Sequence, residues 1–278
     1  MIVNTGDLNS VDFQMDVRVV TYNILSNYYA RYSKCNPKFL THEYRWNLLR
    51  LFLEREIKKK SIICLQELSP IQKSELHGLF ANNDYTMFTA DYGNMCVAIA
   101  FNYSMYKLKL YFEQRISDLP GLKPYKFSQP NIMIMLKLTN GDAEFGVCTY
   151  HMPVCYTNPF VMDTHISSLI NTAKFVATGV PYIIGADMNM TRNSRQYEHI
   201  IASGMRDVFD NKPPDYTSFC ARKDNTTFRG ILDYIFISVN VDVKSVDKVL
   251  CDYSYIPDDK QSSDHLPICA NLIIKPMY

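Results

Sequence analysis

Gln-Ser-Ser-Asp-His-Leu-Pro-Ile-Cys-Ala-Asn-Leu, residues 261–272, joins a polar turn to an apolar strand. Asp264 and His265 close the turn, and a strand is expected from Leu266 to Ile274 directly after it. A strand held in a packed sheet fixes the residues at its lip, so an ionisable pair there is placed to carry function. Taken alone, an Asp-His dipeptide reads more plainly as a loop Asp and a solvated His. The decision rests on whether other strands end in matching chemistry.

Working outward, they do. Val17–Leu25 is a β-branched run with Asn23 near its end. Ser61–Leu65 is a short continuous apolar run, as a strand covered on both faces should be, and it terminates in Gln66-Glu67. The run expected over Phe145–Tyr150 ends at His151, and Pro181–Ala186 ends in Asp187-Met188-Asn189. Asp233 belongs to the strand-like stretch Ile231–Val239. This makes six strands whose C-terminal ends carry Asn23, Glu67, His151, Asp187 with Asn189, Asp233, and Asp264 with His265. Each has a plain structural explanation as a turn, cap or core residue. Six in one chain are not what chance turn chemistry produces.

Between these strands, Thr41–Lys60 places Trp46, Leu49, Phe52, Leu53 and Ile57 at helical spacing, an amphipathic helix laid on a sheet. Pro70 opens a second helix that runs to about Phe80, and Asn158-Pro159 opens a third that Gly179 stops. A shorter helix is expected around Ser194–Ala202. Hairpin turns are expected at Gly93-Asn94 and Asn140-Gly141. Residues 203–230 read as a polar stretch and residues 116–130 as a loop. The strands outnumber what one sheet holds comfortably, and helices fall between some of them. The expected architecture is α/β (α+β): a four-layer sandwich of two packed mixed β-sheets flanked by helices. No repeat or linker interrupts the 278 residues. One domain is therefore expected over 1–278, with 1–16 a loose N-terminal segment.

A net charge of +1 gives no global attraction for nucleic acid or membrane, so polyanion binding must come from a local patch or from metal ions. The eight cysteines include no Cys-x-x-Cys, and several lie inside apolar runs. They read as free thiols in a reducing, cytoplasmic compartment and not as disulfides or a zinc site. No apolar run approaches the ~20 residues needed to span a bilayer, and Asp7, Asp12 and Asp16 interrupt any signal-peptide pattern, so no membrane association is expected.

Carboxylate and amide oxygens are hard ligands suited to Mg²⁺ or Mn²⁺. No Ser, Cys or Lys stands beside a dedicated base, which disfavours a covalent nucleophile. A glycosidase needs two carboxylates and has no use for matched histidines. Metal-assisted hydrolysis of a phosphoester accounts for the whole set.

The segments TYNIL (21–25), CLQEL (64–68), GADMN (185–189), LDYIF (232–236) and SSDHLPI (262–268) resemble, in order, the motifs of the endonuclease/exonuclease/phosphatase superfamily. RWNLLRLFLEREIKKKSIICLQE (45–67) and TYHMP (149–153) resemble its deadenylase-like branch, that of the carbon catabolite repression deadenylases and their nocturnin, angel and 2′,5′-phosphodiesterase relatives. That resemblance implies Glu67 as the principal metal ligand, with Asn23 nearby and one or two Mg²⁺ ions bound. It implies Asp187 as the residue that aligns or deprotonates water, Asn189 on the scissile phosphate and His151 on a phosphate oxygen. Asp264 and His265 complete the metal and phosphate side, Asp264 orienting the imidazole or touching a second metal, and Asp233 supports the site. Pro159, Phe228 and Asn225 are the counterparts of base-binding positions.

Arg192 and Arg195 follow GADMN, and Arg222, Lys223 and Arg229 precede LDYIF, so loops could bring positive charge to the site. Tyr28, Tyr29, Tyr92, Tyr125 and Tyr216 are candidates to stack on bases. The expectation is an Mg²⁺-dependent 3′–5′ exoribonuclease acting on poly(A) or adenylate-containing RNA. The alternatives are a 2′,5′-oligoadenylate phosphodiesterase, a nucleotide phosphatase, or a catalytically silent RNA-binding module. The last would have no need of all six strand-end groups. Protein partners are not legible.

Overall fold

Strands with four or more consecutive buried residues dominate the chain, and their pairing decides where the polar strand ends meet. The structure, a computed structural model, describes residues 14–122, 131–141, 143–210, 212–253 and 255–275. Its strands are β1 (Met15–Asn23), β2 (Ile62–Leu68), β3 (Tyr85–Tyr92), β4 (Met95–Asn102), β5 (Lys107–Arg115), β6 (Ile132–Thr139) and β7 (Glu144–His151). The later ones are β8 (Tyr182–Asp187), β9 (Arg206–Asp207), β10 (Ser218–Ala221), β11 (Thr227–Gly230), β12 (Asp233–Ile237), β13 (Val241–Val246) and β14 (Ile268–Ile274). Among the described residues they form two six-stranded sheets, β13-β14-β1-β2-β4-β3 and β5-β6-β7-β8-β12-β9, and a separate β10–β11 hairpin.

Each sheet has a parallel pair at its centre, β1 with β2 and β7 with β8, flanked by antiparallel neighbours. Parallel neighbours end at the same edge, so the polar C-terminal ends of four strands gather there. The sheets pack face to face, β1 against β8 and β2 against β7. Val17, Val19, Cys64, Ile99, Ile134, Val147, Ile183, Ile235 and Leu272 fill the space between them. Helices α2 (His42–Lys58) and α3 (Pro70–Ala81) cover the outer face of the first sheet. Helices α4 (Pro159–Val176) and α5 (Arg195–Ala202) cover that of the second. This is the expected four-layer α/β sandwich. No described helix is long and apolar enough to cross a membrane, and all eight cysteines are free thiols.

Local chemistry explains the boundaries. Thr41 caps α2 by accepting from the Tyr44 N–H, and Ser69 with Gln72 closes a capping box on α3, whose first residue is Pro70. Gly93 at φ 61° makes the β3–β4 turn, as expected from Gly93-Asn94.

Several expectations need correction. Met15 and Asp16, expected in a loose N-terminal segment, are the first residues of β1; residues 1–13 lie outside the described part, as does Tyr125. Asp233 opens β12, which runs antiparallel to β8, and Asp264 and His265 precede β14, which runs antiparallel to β1. These three therefore reach the common edge from N-terminal strand ends. The stretch read as polar, 203–230, contains β9 and the β10–β11 hairpin. Its four-residue strands are too short and too polar to show alternation, and the hairpin stands apart from both sheets.

Candidate active site

The inner face of the sandwich changes character along its length. Alternation sends Val19, Thr21 and Asn23 of β1, and Cys64 and Gln66 of β2, toward the second sheet. There Gln66 Nε2 donates to Thr21 Oγ1 (3.1 Å) and Thr149 Oγ1 (2.9 Å), tying the sheets together under the site. Gly185 occupies the same layer, where a Cβ would lie 3.2 Å from Thr21 Cβ and 3.3 Å from Cys64. The sheets are this close because residue 185 has no side chain.

One step further along lie His151, Asp187 and Asp233, aligned across β7, β8 and β12, opposite Asn23. Regular alternation would turn Glu67 away from them. A register shift between Leu65 and Leu68 and a left-handed backbone at Glu67 (φ 61°) turn it in. Leu25 (φ 55°) and Asn189 (φ 44°) adopt the same strained region, which clusters where function needs a side chain in an irregular place.

Asn23 Nδ2 donates to both Glu67 Oε1 (3.1 Å) and Asp187 Oδ2 (2.8 Å), while its oxygen accepts from the Leu25 N–H (3.0 Å). Asn23, expected near a metal, holds two carboxylates together. The Ser26 N–H donates to Glu67 Oε2 (3.1 Å), and the Asn189 N–H to Asp187 Oδ1 (2.9 Å). His151 Nε2 lies 3.1 Å from Asn189 Nδ2, 3.5 Å from Asp187 Oδ2 and 3.7 Å from Glu67 Oε1. Behind it, the Tyr92 hydroxyl and His151 Nδ1 are hydrogen-bonded at 2.8 Å.

His265 Nδ1 donates to Asp233 Oδ2 (2.8 Å), so Asp233, and not Asp264, orients this imidazole. Its Nε2 is 3.8 Å from Asp187 Oδ2. Thr217 Oγ1 donates to the same Asp233 oxygen (2.7 Å). Burial works against a charged ring, but Asp233 and Asp187 outweigh it and hold the His265 pKa well above the ordinary histidine value. Burial pushes the Asp233 carboxyl up to about 6, against the pull of His265. Burial also raises Asp264, against the attraction of His265 and Arg45.

Arg45, on α2, joins both ends of the site. Its guanidinium donates to the carbonyls of Ile24 (2.6 Å), Leu25 and Ser262 (2.6 Å), and to Asn27 Oδ1 (3.1 Å). It thereby fastens the turn whose Ser26 N–H holds Glu67 to the turn that delivers Asp264. Burial lowers its pKa to about 10, which leaves it charged at neutral pH. Arg45 lies inside the quoted helix motif, but only its contacts reveal this task.

The donors suit a hard divalent cation. Glu67, His151 and Asp187 bring ligand atoms within 4.8 Å of one another, as do Asp187, Asp233 and His265. Asp264 joins neither cluster, yet its buried Oδ1 has no hydrogen-bond partner among the described residues. Carboxylate oxygens with an unpartnered acceptor nearby match the oxygen preference of Mg²⁺ or Mn²⁺.

These groups floor a cleft of about 1530 Å³. Phe228, Arg222 and Lys223 line it, together with Tyr28 and Tyr29. Tyr92 also borders the cleft, while the other expected contacts that the structure describes lie elsewhere. Pro159 is exposed at the first turn of α4, whereas Pro153, two residues after His151, lines the cleft. Asn225 sits at the hairpin tip with its side-chain oxygen taken by Lys34 Nζ (2.7 Å). Arg192 donates to Tyr197 Oη (3.0 Å) and stands 3.7 Å from Asp207 Oδ2, and Arg195 pairs with Asp163. Strand alternation puts Arg229 on the hairpin's other face, 4.3 Å over the ring of Tyr216. Tyr92 and Tyr216 are buried and are not stacking surfaces.

The model of the endonuclease/exonuclease/phosphatase family matches residues 20–265, and the chain belongs to that family. It is accordingly a metal-dependent hydrolase of phosphoester bonds. Solved structures share the fold at low identity. ANGEL2, a 2′,3′-cyclic phosphatase, superposes with a TM-score of 0.80 at 17% identity over 94% of this chain and 96% of its own. The human nocturnin catalytic domain gives 0.71 at 19% over 92% and 93%. A mannosyl-6-phosphatase from Bacteroides thetaiotaomicron gives 0.70 at 17% over 92% and 99%. No curated protein matches the sequence.

Proposed function

We propose that this chain is an Mg²⁺-dependent phosphodiesterase that removes nucleotides from the 3′ end of adenylate-containing RNA. The observation that carries this reading is the cleft. Its volume of about 1530 Å³ exceeds the roughly 300–1,000 Å³ of a site built for one small ligand. Its walls carry tyrosines, Phe228, Arg222 and Lys223, which suit bases and a phosphate backbone.

Glu67 is the principal carboxylate for Mg²⁺ or Mn²⁺, and the unpartnered Oδ1 of Asp264 is available to the same ion or a second one. When bound, the ion supplies Lewis-acid polarisation of the phosphoryl group. Asp187, held by Asn23 and the Asn189 N–H, aligns and deprotonates the attacking water. His151 and the Asn189 amide hold oxygens of the scissile phosphate. His265, kept protonated by Asp233, faces the charge that develops as the leaving oxygen departs. The free thiols suit work in a reducing compartment such as the cytoplasm.

A panel at fixed Mg²⁺ tests this: oligo(A), oligo(U), 2′,5′-linked oligoadenylate, RNA ending in a 2′,3′-cyclic phosphate, abasic duplex DNA, a nicotinamide dinucleotide phosphate and a hexose 6-phosphate. Progressive 3′ shortening of oligo(A) is expected. Turnover confined to abasic DNA or the hexose phosphate would overturn the proposal. The likeness to ANGEL2 supports a second reading, in which the 2′,3′-cyclic end is the preferred substrate.

A further inference from the structure

We infer that the wall formed by residues 28–34 and the β10–β11 hairpin is a subsite for the strand beyond the scissile phosphate, so that the protein measures substrate length. This rests on the RNA reading above and adds which residues hold the additional nucleotides.

Three observations carry it. Tyr28 and Tyr32 line the same cleft as Glu67 and His265, yet stay 40% and 47% exposed, unlike the buried Tyr92 and Tyr216. Arg31, which is not part of the lining, lies 4.0 Å from the Tyr28 ring centroid and 4.8 Å from that of Tyr32, and its Nη2 donates to Tyr32 Oη (2.7 Å). One cation thus braces two rings that border the cleft. Such a pair accepts any base, because every base has a π-face.

The wall is also built into the site. Ser33 bridges Arg222, the Lys34 N–H donates to the Ala221 carbonyl (2.7 Å), and the Lys223 N–H donates to that of Tyr32 (3.0 Å). On its other side the hairpin joins the catalytic turn: Ser218 bridges His265, and the Phe219 N–H donates to the Asp264 carbonyl (2.9 Å). Rings and cations are therefore held at a set position relative to the phosphate site. Arg222 and Lys223 place two positive charges on that wall in a chain of net charge +1. Neutralising backbone phosphates is the use that fits charges beside stacking rings.

The test is equilibrium binding of labelled oligo(A), two and six nucleotides long, followed by fluorescence anisotropy in EDTA so that nothing is cleaved. The wild type is expected to bind the longer strand more tightly. Tyr28→Leu/Tyr32→Leu should cut that gain about 5- to 100-fold, and Tyr28→Phe/Tyr32→Phe should keep it. Arg222→Gln/Lys223→Gln should flatten the salt dependence of binding by about one to one and a half logarithmic units per decade. A Leu variant with the full length gain, or a salt slope unchanged in the Gln variant, overturns the inference. The outcomes separate from those of the hydrolytic proposal: length-dependent binding without any hydrolysis of oligo(A) by the wild type in Mg²⁺ would refute that proposal alone.

Discussion

The floor of the cleft and its hairpin wall are built on opposite plans. On the floor, strand ends bury every reactive group, and most are tied to a neighbour: Asn23 to two carboxylates, Asp233 to His265, Tyr92 to His151. On the wall, four-residue strands and a one-turn helix, α1 (Asn27–Ala30), display partly exposed rings and cations. Chemistry needs groups that cannot move, because a misplacement of about 1 Å can cost a hundredfold in rate. Recognition of a flexible strand needs surface. The two regions should therefore fail differently when altered.

The largest effects belong to the floor. Glu67→Ala and His265→Ala should each lower Mg²⁺-dependent cleavage of labelled oligo(A) by about 10³-fold, with thermal unfolding close to wild type. Undiminished cleavage in both variants would remove the active-site assignment. Asp233→Asn should cost about 10²-fold in kcat. It should also move the alkaline limb of the pH–rate profile to lower pH. Asp233 raises the His265 pKa, so without that charge the ring loses its proton earlier as the pH rises. A limb that stays in place would show that another group sets it.

Between the turn that holds Glu67 and the turn that delivers Asp264, Arg45→Lys tests whether their coupling matters. Lysine cannot reach the Ile24, Leu25 and Ser262 carbonyls together, so Glu67 should be less well placed. The apparent Mg²⁺ midpoint should rise about 10- to 100-fold, read from activity and from the Mg²⁺-dependent gain in melting temperature. The smallest effect is on the wall. Phe228→Ala should weaken discrimination between oligo(A) and oligo(U) by about 5- to 10-fold in kcat/KM. An equal loss on both substrates would assign Phe228 to packing against Gly230.

This contrast also separates what could be read in advance. Asn23, Glu67, His151, Asp187 and Asn189 follow runs of buried residues, so a period-two or continuous apolar pattern announces them. Arg222 and Lys223 were legible only as charges near a motif, and Arg192, Arg195 and Arg229 looked the same. What divides them is orientation: alternation along β11 sends Phe228 into the cleft and Arg229 over Tyr216. Pro159 is the expected base-binding proline, but α4 claims it as its opening residue, and Pro153 lines the cleft instead.

The four-layer sandwich and the polar groups at the strand ends were legible in the sequence, because burial patterns and strand-end chemistry are local properties of the chain. Its ordered motifs carried the resemblance to the family. The tertiary structure alone decided which carboxylate holds His265, that Asn23 is a tether, that Arg45 clasps two turns, and which cations face the cleft. Those assignments depend on contacts between residues up to 240 positions apart, as when Ser263 Oγ donates to the Asn23 carbonyl. They also depend on the left-handed backbone at Glu67, which no side-chain pattern encodes. The turn that ends in Asp264 and His265 is ordinary as a peptide and becomes part of a site when β14 pairs with β1.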